Sequence, residues 1–307
     1  MLTVSTVGQR LRFNGRVQFG AFVELLKPVT WFPPMWAFLC GAVSSGVPLS
    51  SRQGAVLLGI LVTGPMVCGA SQVVNDWFDR DVDRLNEPNR PIPSGRVPGR
   101  SGLAFAILWT LCSLALGALL GPLGFGATAL ALASAWAYSA PPVRLKRNGW
   151  WGNLAVGLSY EGLAWVCGAA VLVGGTTLPW PILAIALLYS LGAHGIMTLN
   201  DFKSVKGDHV AGVRSLPVQL GEQRAGVVAC VVMIAAQLVV IGIELALGLP
   251  LHAAIVGALV LVQLLMMRRF LGDVTGRALW YSALGIPVYV TGMMVSAFGL
   301  RTLGGIP

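Results

Sequence analysis

Long apolar segments recur along the whole chain, and no other feature of the sequence limits the possible folds as strongly. Each segment is roughly 18 to 25 residues long, which is the length that an α-helix needs to cross a bilayer. Charged residues make up only 11% of the chain and hydrophobic residues 55%, a balance that excludes an ordinary soluble domain. We therefore predict an all-α, polytopic membrane protein.

About nine transmembrane helices are predicted within a single domain of 307 residues. The first spans 28–47, and the second runs from residue 54 into a motif that begins at Asn75. The others span approximately 101–120, 123–139, 150–173, 181–200, 224–247, 251–267 and 279–300. Residues 1–27 precede them as an interfacial segment. Helices one to four and five to eight are interpreted as two parallel repeats, because an even number of spans restores the orientation of the chain.

The positions of the basic residues predict the orientation of these helices. All but two of the 21 Lys and Arg residues lie in the N-terminal segment or in the loops after helices two, four, six and eight. The exceptions are Arg52 and Arg301. By the positive-inside rule, the N-terminus and the loops 79–100 and 202–220 are cytoplasmic. Charges that alternate loop by loop do not form a basic face, so no nucleic acid is predicted as a partner.

The second apolar segment ends in an acidic motif, Asn-Asp-Trp-Phe-Asp-Arg-Asp-Val-Asp. At ~100° per residue, one helix face carries four of its polar side chains, whereas Asp81 points elsewhere. The four are Asn75, Asp76, Asp79 and Asp83. Carboxylates one turn apart repel by ~3 kcal/mol at an effective dielectric near 20, so the cluster is typical of a cation site. Ligands that are all oxygen atoms favour Mg²⁺ shared with a phosphate over Zn²⁺.

The same pattern, beginning at Asn200, closes a later apolar segment. When it is aligned on Asn75, its first and last carboxylates are Asp201 and Asp208, and Ser204 replaces the middle one. The matched spacing indicates an internal duplication. Charged helix ends can simply mark the membrane boundary, but matched spacing in two places favours a metal–phosphate site. Two such helix ends facing one another would bind a diphosphate through bridging Mg²⁺.

Basic side chains near the two motifs are candidate ligands of a diphosphate, although each one alone can serve only to orient the chain. They are Arg84, Arg90, Arg144, Lys146, Lys203 and Arg214. Tyr138, which precedes a Pro141-Pro142 turn, can stabilise a cation with its ring or anchor the helix at the interface.

Two ionisable groups fall inside predicted spans. His194 lies seven residues before Asp201 and therefore shares its helix face. It is a satisfied structural histidine, a ligand of the central magnesium of a tetrapyrrole substrate, or a contact of a substrate carboxylate. Glu161 is an intramembrane carboxylate, which makes it a functional candidate, with a helix–helix hydrogen bond as the alternative.

In combination, these motifs resemble the intramembrane prenyltransferases of the UbiA type. The branch of chlorophyll and bacteriochlorophyll synthases is the most similar, through the segments 27–36, 86–96, 138–146, 160–163 and 192–204. Two residues depart from the pattern of that branch. Lys206 stands where relatives commonly carry Glu, and Ala164 where a Pro is usual.

The resemblance implies an enzyme of a bacterial inner or intracytoplasmic photosynthetic membrane. Such an enzyme esterifies the propionate of bacteriochlorophyllide a with a geranylgeranyl or phytyl group from its diphosphate, and it needs Mg²⁺. The resemblance also assigns the five motif carboxylates to the metal and Tyr138 to catalysis. These carboxylates are Asp76, Asp79, Asp83, Asp201 and Asp208.

Other functions remain open at this point. Within the family, the acceptor can instead be chlorophyllide, a quinone precursor or haem. From other classes, a secondary transporter also uses duplicated helices and intramembrane carboxylates, and a pigment-binding scaffold needs no catalysis. Most acids cluster at one membrane face rather than at the midplane, which favours the enzyme. No Walker, GxGxxG, HExxH or GxSxG motif occurs in the chain.

Overall fold

The computed structural model describes residues 19–304, and every regular element in that range is helical. The helices are α1 (Phe19–Leu25), α2 (Phe32–Ser44), α3 (Leu49–Asn86), α4 (Ser101–Gly117), α5 (Gly121–Ser139), α6 (Gly149–Val173), α7 (Trp180–Asp201), α8 (Val205–Ala211), α9 (Leu216–Leu220), α10 (Glu222–Ala246), α11 (Pro250–Leu271) and α12 (Val274–Thr302). Of the predicted interfacial segment 1–27, residues 1–18 lie outside the described residues. The prediction of an all-α bundle is confirmed.

Within the described range, seven helical segments are long and apolar enough to cross a membrane, with α4 and α5 taken together as one segment over Ser101–Ser139. This segment turns at Gly121, whose φ of 80° favours a glycine. The 13 residues of α2 form a shorter apolar helix. These helices establish a multi-pass membrane protein and are compatible with the predicted count of about nine spans.

The bounds differ from the predicted ones in two instructive places. The first span was expected to begin at residue 28, but Pro28–Thr30 forms a separate 3-10 turn and α2 starts at Phe32. Two prolines then occupy the first turn of α2, where their missing N–H groups leave no bond unmade. The segment 202–220 was predicted as a loop, yet it contains the short helices α8 and α9.

Both α3 and α6 contain a wide π-helical turn near their middle, at Val62–Cys68 and Leu158–Leu163. In α3 the turn surrounds Pro65, which lacks the N–H that a regular helix requires. The described part of α6 has no proline at the corresponding place, so the sequence gives no comparable signal there. Turns of this kind are often found at functional sites.

Close backbone contacts join α2 to α6. A methyl group at Gly41 would overlap the carbonyl oxygen of Trp165, and one at Gly168 would overlap that of Phe38. In a bilayer the helices gain nothing by hiding apolar surface from lipid, so contact between small residues is a main source of attraction. The two glycines therefore fix the position of α6, and of its π turn, relative to α2.

Candidate active site

A cavity of about 530 Å³ lies between α2, α3, α5, α6 and α7. This volume is in the usual range for small-molecule sites. Both acidic motifs reach it, because Asn75 lines it from the first motif and Asn200 and Asp201 line it from the second. The polar end of the cavity is therefore the place where the two helix ends meet.

Two carboxylates of the first motif, Asp76 and Asp83, share one cation, Arg90. Asp76 is buried, and its Oδ1 accepts a hydrogen bond from Lys27 Nζ at 2.6 Å. Arg90 Nη1 lies 3.6 Å from the same oxygen and 2.9 Å from Oδ2 of Asp83, which is also buried. The pKa of Arg90 is raised because the charges of Asp76 and Asp83 outweigh its own desolvation.

The middle carboxylate, Asp79, has a separate pair of cations. Its Oδ1 accepts hydrogen bonds from Lys146 Nζ at 2.6 Å and from Arg144 Nη2 at 3.1 Å. The pKa of Lys146 is lowered because burial disfavours its charged form, although the charge of Asp79 opposes that effect. The turn after α5 thus delivers two positive groups to one carboxylate.

Unusual backbone conformations position two of these cations. Lys27 and Arg144 have φ values of 44° and 40°, and within residues 19–304 they are the two non-glycine residues with positive φ. L-residues rarely adopt this left-handed region unless the surroundings hold them there. Both residues turn the chain directly before a short 3-10 segment, and both side chains reach the first motif.

The second motif has neutral partners. Asp201 Oδ2 accepts a hydrogen bond from Asn153 Nδ2 at 3.1 Å, and Asp208 Oδ2 accepts one from Ser204 Oγ at 3.1 Å. Among the described residues, neither carboxylate forms an ion pair with Lys or Arg. Lys203 is exposed and lines the rim of the cavity.

Tyr138 lies between the two motifs. It lines the cavity from the last turn of α5 and is within electrostatic range of Asp79, Asp201 and Asp208. The residue thereby borders the space in which any group bound by both motifs would lie.

The carboxylates fit a divalent cation that is shared with a ligand. Asp76 Oδ2 is buried and has no hydrogen-bond partner, so one acceptor of the buried carboxylate is unused. Within the described residues, no three His, Cys, Asp or Glu side chains converge on a single point that could hold a metal. Mg²⁺ commonly takes one or two carboxylates and completes its shell with phosphate oxygens and water, which suits this arrangement.

Three sequence candidates lie away from this centre. Arg84 donates to Asp81 at 3.0 Å on the exposed side of α3. Arg214 is exposed, and its backbone N–H donates to the carbonyl of Arg147. His194 was expected to point toward the site, but it is absent from the cavity lining and its ring lies against Trp150 at 5.6 Å.

Helical geometry explains why His194 does not line the cavity. The face of α7 that lines the cavity is made by Ala193, Ile196, Met197, Asn200 and, at the end of the helix, Asp201. His194 follows Ala193 by one residue and is therefore rotated by ~100° to the edge of this face. The spacing of seven residues to Asp201 was correct, but it did not determine which edge of the face the pair occupies.

Sequence reasoning did not identify several site residues. Lys27 was read as part of the interfacial segment, because its partner Asp76 lies 49 positions further along the chain. Asn153 gave a usable signal, since it is a single amide within an apolar span. Ser71 and Gln72, at the deep end of the cavity, were not identified either. Ser71 Oγ and Gln72 Nε2 each lie 3.1 Å from the hydroxyl of Tyr160.

Glu161 is next to this group and also lines the cavity. Its side chain is only 6% exposed, and Oε2 has no hydrogen-bond partner. The position within a membrane span agrees with the sequence prediction.

Comparisons with known proteins complete the description. A family model described as the UbiA prenyltransferase family matches residues 30–294. The chain is 54% identical to the bacteriochlorophyll synthase 33 kDa chain of Cereibacter sphaeroides, over 94% of this chain and 95% of that protein. It is 38% identical to the chloroplastic chlorophyll synthase of Oryza sativa subsp. japonica, over 90% of this chain and 75% of that one.

Solved structures of similar fold are also known. One is a UbiA homolog from Archaeoglobus fulgidus bound to GPP and Mg²⁺, with a TM-score of 0.71 and 22% sequence identity. The similarity covers 89% of this chain and 99% of that one, so the two molecules share the whole fold.

Proposed function

The chain belongs to the UbiA prenyltransferase family, and we propose that it acts as a bacteriochlorophyll synthase. The reaction esterifies the propionate of bacteriochlorophyllide a with a geranylgeranyl or phytyl group and releases diphosphate. The observation that carries this proposal is that two acidic motifs border one cavity among the membrane helices. Relatives named bacteriochlorophyll synthase are 47 to 54% identical, whereas those named chlorophyll synthase are 37 to 38% identical, which supports a bacteriochlorin as the acceptor.

The diphosphate is proposed to bind at the polar end of the cavity. Five cations surround this end or pair with its carboxylates, and guanidinium and ammonium groups are the usual partners of phosphate oxygens. They are Lys27, Arg90, Arg144, Lys146 and Lys203. Four of them pair with carboxylates of the first motif, so binding of the donor would exchange carboxylate partners for phosphate partners.

Mg²⁺ fits the oxygen ligands of the site, including the unused Oδ2 of Asp76. Asp76, Asp79, Asp83, Asp201 and Asp208 would supply the ligands, one or two carboxylates to each Mg²⁺ ion. When bound, the metal would act as a Lewis acid on the negative charge of the leaving diphosphate. Asn75 and Asn200 precede the two motifs and line the same space, where their amides would contact the diphosphate.

The bond changes need little proton chemistry. The allylic C–O bond of the donor breaks, its electron pair stays on the diphosphate, and a propionate oxygen forms the new ester bond to carbon. The propionate is already ionised at pH 7, so no strong base is required. Tyr138 borders both motifs, and its ring face would stabilise positive charge on the allylic carbon. Apolar walls that exclude water would protect that carbon from hydrolysis.

The orientation of the chain is proposed from its charges. Arg52 lies at the start of α3 and donates to the carbonyl of Val171 near the end of α6, which is the end of the bundle opposite the motifs. Because, within residues 19–304, the other basic residues except Arg301 are at the motif end, that end is assigned to the cytoplasm. We assign the protein, as one domain, to a bacterial inner membrane.

The decisive experiment offers membranes that contain the protein both bacteriochlorophyllide a and chlorophyllide a, together with geranylgeranyl diphosphate and Mg²⁺. Mass spectrometry then measures the esterified products. We expect the bacteriochlorin to be esterified faster, and equal or reversed use would contradict this substrate assignment. Absence of product and of released diphosphate with either acceptor would favour a transporter or a pigment-binding scaffold.

A matched pair of variants controls this test. Asp79→Ala removes a carboxylate that contacts two cations, and it should strongly reduce esterification. Asp81→Ala makes the same chemical change two residues later, on the exposed side of α3, and should leave the rate unchanged. Unchanged esterification by Asp79→Ala would contradict catalysis at the motif.

A further inference from the structure

The deep end of the cavity differs from its polar end, because it is built from the two π turns. Cys68, at the end of the π turn in α3, has its Sγ 3.3 Å from the hydroxyl of Tyr160, which lies in the π turn of α6. Ser159, Tyr160 and Glu161 are consecutive residues, yet all three line the cavity. The wide turn therefore presents adjacent side chains to one space.

Tyr160 and Glu161, two of the polar side chains of this turn, differ in their hydrogen bonding. The Tyr160 hydroxyl has Cys68, Ser71 and Gln72 as partners, so it is fully engaged within the protein. Glu161 has an unpartnered Oε2 although its side chain is 94% buried. A buried polar atom without a partner in the protein is available to a ligand.

The surroundings of Glu161 determine its chemical form. Glu161 is buried within a membrane-spanning helix, and among the described residues it forms no salt bridge with Lys, Arg or His. An ionised carboxylate without a counter-charge in such a place would cost several kcal/mol. Glu161 is therefore a neutral carboxylic acid, which offers one O–H donor and a carbonyl acceptor.

The depth of Glu161 indicates which part of a substrate reaches it. Asn153 contacts Asp201 at the polar end, and Glu161 follows it by eight residues on α6. At 1.5 Å per residue, the two side chains are separated by about 12 Å along the helix axis. A comparable distance separates the propionate carboxylate of bacteriochlorophyllide a from the acetyl group on the neighbouring pyrrole, so with the propionate at the polar end the acetyl group would lie near Glu161.

We propose that Glu161 donates a hydrogen bond to the acetyl carbonyl oxygen of bacteriochlorophyllide a, an inference that rests on the proposed function. Chlorophyllide a carries a vinyl group at that position, which cannot accept a hydrogen bond. With chlorophyllide a, the buried acid would be left without a partner, and a site of this kind discriminates strongly against the ligand that lacks the polar group. Glu161 is then a specificity-determining residue of the acceptor pocket.

The test compares three variants in the full-length protein. Glu161→Met removes the donor at similar volume, whereas Glu161→Gln keeps an N–H donor. Glu244→Met makes the same change at a buried carboxyl of α10 that does not line the cavity, and it controls for the general effect of losing a buried acid. For each, the ratio of kcat/KM for bacteriochlorophyllide a over chlorophyllide a is measured with geranylgeranyl diphosphate.

We expect Glu161→Met to lower this ratio roughly tenfold, chiefly through slower use of the bacteriochlorin, while Glu161→Gln and Glu244→Met keep it near the original value. A second measurement does not depend on turnover. Resonance Raman spectra of bacteriochlorophyllide a bound without the donor should have an acetyl carbonyl stretch at lower wavenumber than the free pigment, and Glu161→Met should remove that shift.

The outcomes separate the inference from the function on which it rests. If the unaltered protein esterifies neither pigment, the proposed function is wrong. If it does so and Glu161→Met keeps both the preference and the Raman shift, the role of Glu161 is wrong while the proposed function stands. Equal loss of preference in Glu161→Met and Glu244→Met would also overturn the specific role, because it would reflect general disturbance of buried acids.

Discussion

The two acidic motifs have the same spacing, but the carboxylates of the first have charged partners and those of the second have neutral partners. In the first, each carboxylate that faces the bundle is paired with Lys or Arg at 2.6 to 3.1 Å. In the second, Asp201 and Asp208 accept hydrogen bonds from Asn153 and Ser204. The two motifs thus share the spacing of their first and last acids but not the partners of these acids. The carboxylates of the first motif are neutralised by Lys and Arg side chains, whereas among the described residues those of the second have no basic partner.

This difference indicates that the first motif depends on charged partners more strongly than the second. Buried carboxylates such as Asp76 persist only when they are paired, because an isolated buried charge costs several kcal/mol. Asp201 is only partly buried, so hydrogen bonds from neutral groups can satisfy it. We expect substitutions in the first motif to have larger effects than those in the second.

The largest effect is expected for Asp76→Asn. The change removes the charge of the most deeply buried carboxylate of the first motif, and it leaves Lys27 without its close partner and Arg90 with Asp83 alone. We expect the rate of esterification in membranes to fall by about 10³. Asp81→Asn, on the exposed face of the same helix, is the control and should retain the full rate. A loss of less than tenfold in Asp76→Asn would contradict the assignment.

A smaller effect is expected for Lys146→Met. Lys146 contacts Asp79 at 2.6 Å and is proposed to bind the diphosphate, so its removal should raise the KM for geranylgeranyl diphosphate by about 100-fold, in line with the loss of a buried charged partner. Lys206 belongs to the second motif and is exposed, and Lys206→Met should change the KM by less than about threefold. Similar KM values for both variants would remove the distinction between the motifs.

Asn153→Leu tests the second motif directly. The variant deletes the hydrogen bond from the amide to Asp201 at 3.1 Å without introducing a charge. Loss of one such bond to a carboxylate should reduce kcat/KM by about tenfold. Asn153→Asp, by contrast, places two carboxylates together and should be worse than Asn153→Leu at low Mg²⁺. If Asn153→Leu is as damaging as Asp76→Asn, the two motifs are not electrostatically different in function.

The smallest effect concerns the loop after the first motif, which is fastened to α1 by an exposed ion pair between Arg96 and Glu24. The pKa of Glu24 is lowered by its hydrogen bonds from Arg96. A lowered carboxyl pKa contributes stability above the usual Glu pKa, and this contribution is lost as the pH falls through the lowered value. Glu24→Gln should therefore cost less than about 1 kcal/mol near neutral pH.

The measurement is thermal unfolding of the detergent-solubilised protein as a function of pH. The difference between the unaltered protein and Glu24→Gln should shrink as the pH falls below the usual pKa of Glu. A difference that grows on acidification would mean that the pair opposes folding.

The sequence predicted the features that depend on local pattern. The spans were located because an apolar helix in lipid has few alternatives, and the outward direction of Asp81 followed from ~100° per residue. Features that depend on tertiary contact were not predictable. The approach of Lys27 to Asp76 requires knowledge of how α2 packs, and the π turn of α6 has no proline to announce it. His194 was misplaced because a shared helix face does not reveal where that face ends.

The left-handed residues Lys27 and Arg144 link local order to ligand affinity. Such a backbone costs an L-residue roughly 1 to 2 kcal/mol, so the free protein stores this energy on both sides of the first motif. If either loop loosens, its residue relaxes to negative φ and carries its charge away from the carboxylates. By linkage, a diphosphate that binds both cations must rigidify both loops, and any lipid or partner that disorders one loop will weaken the donor by the same factor.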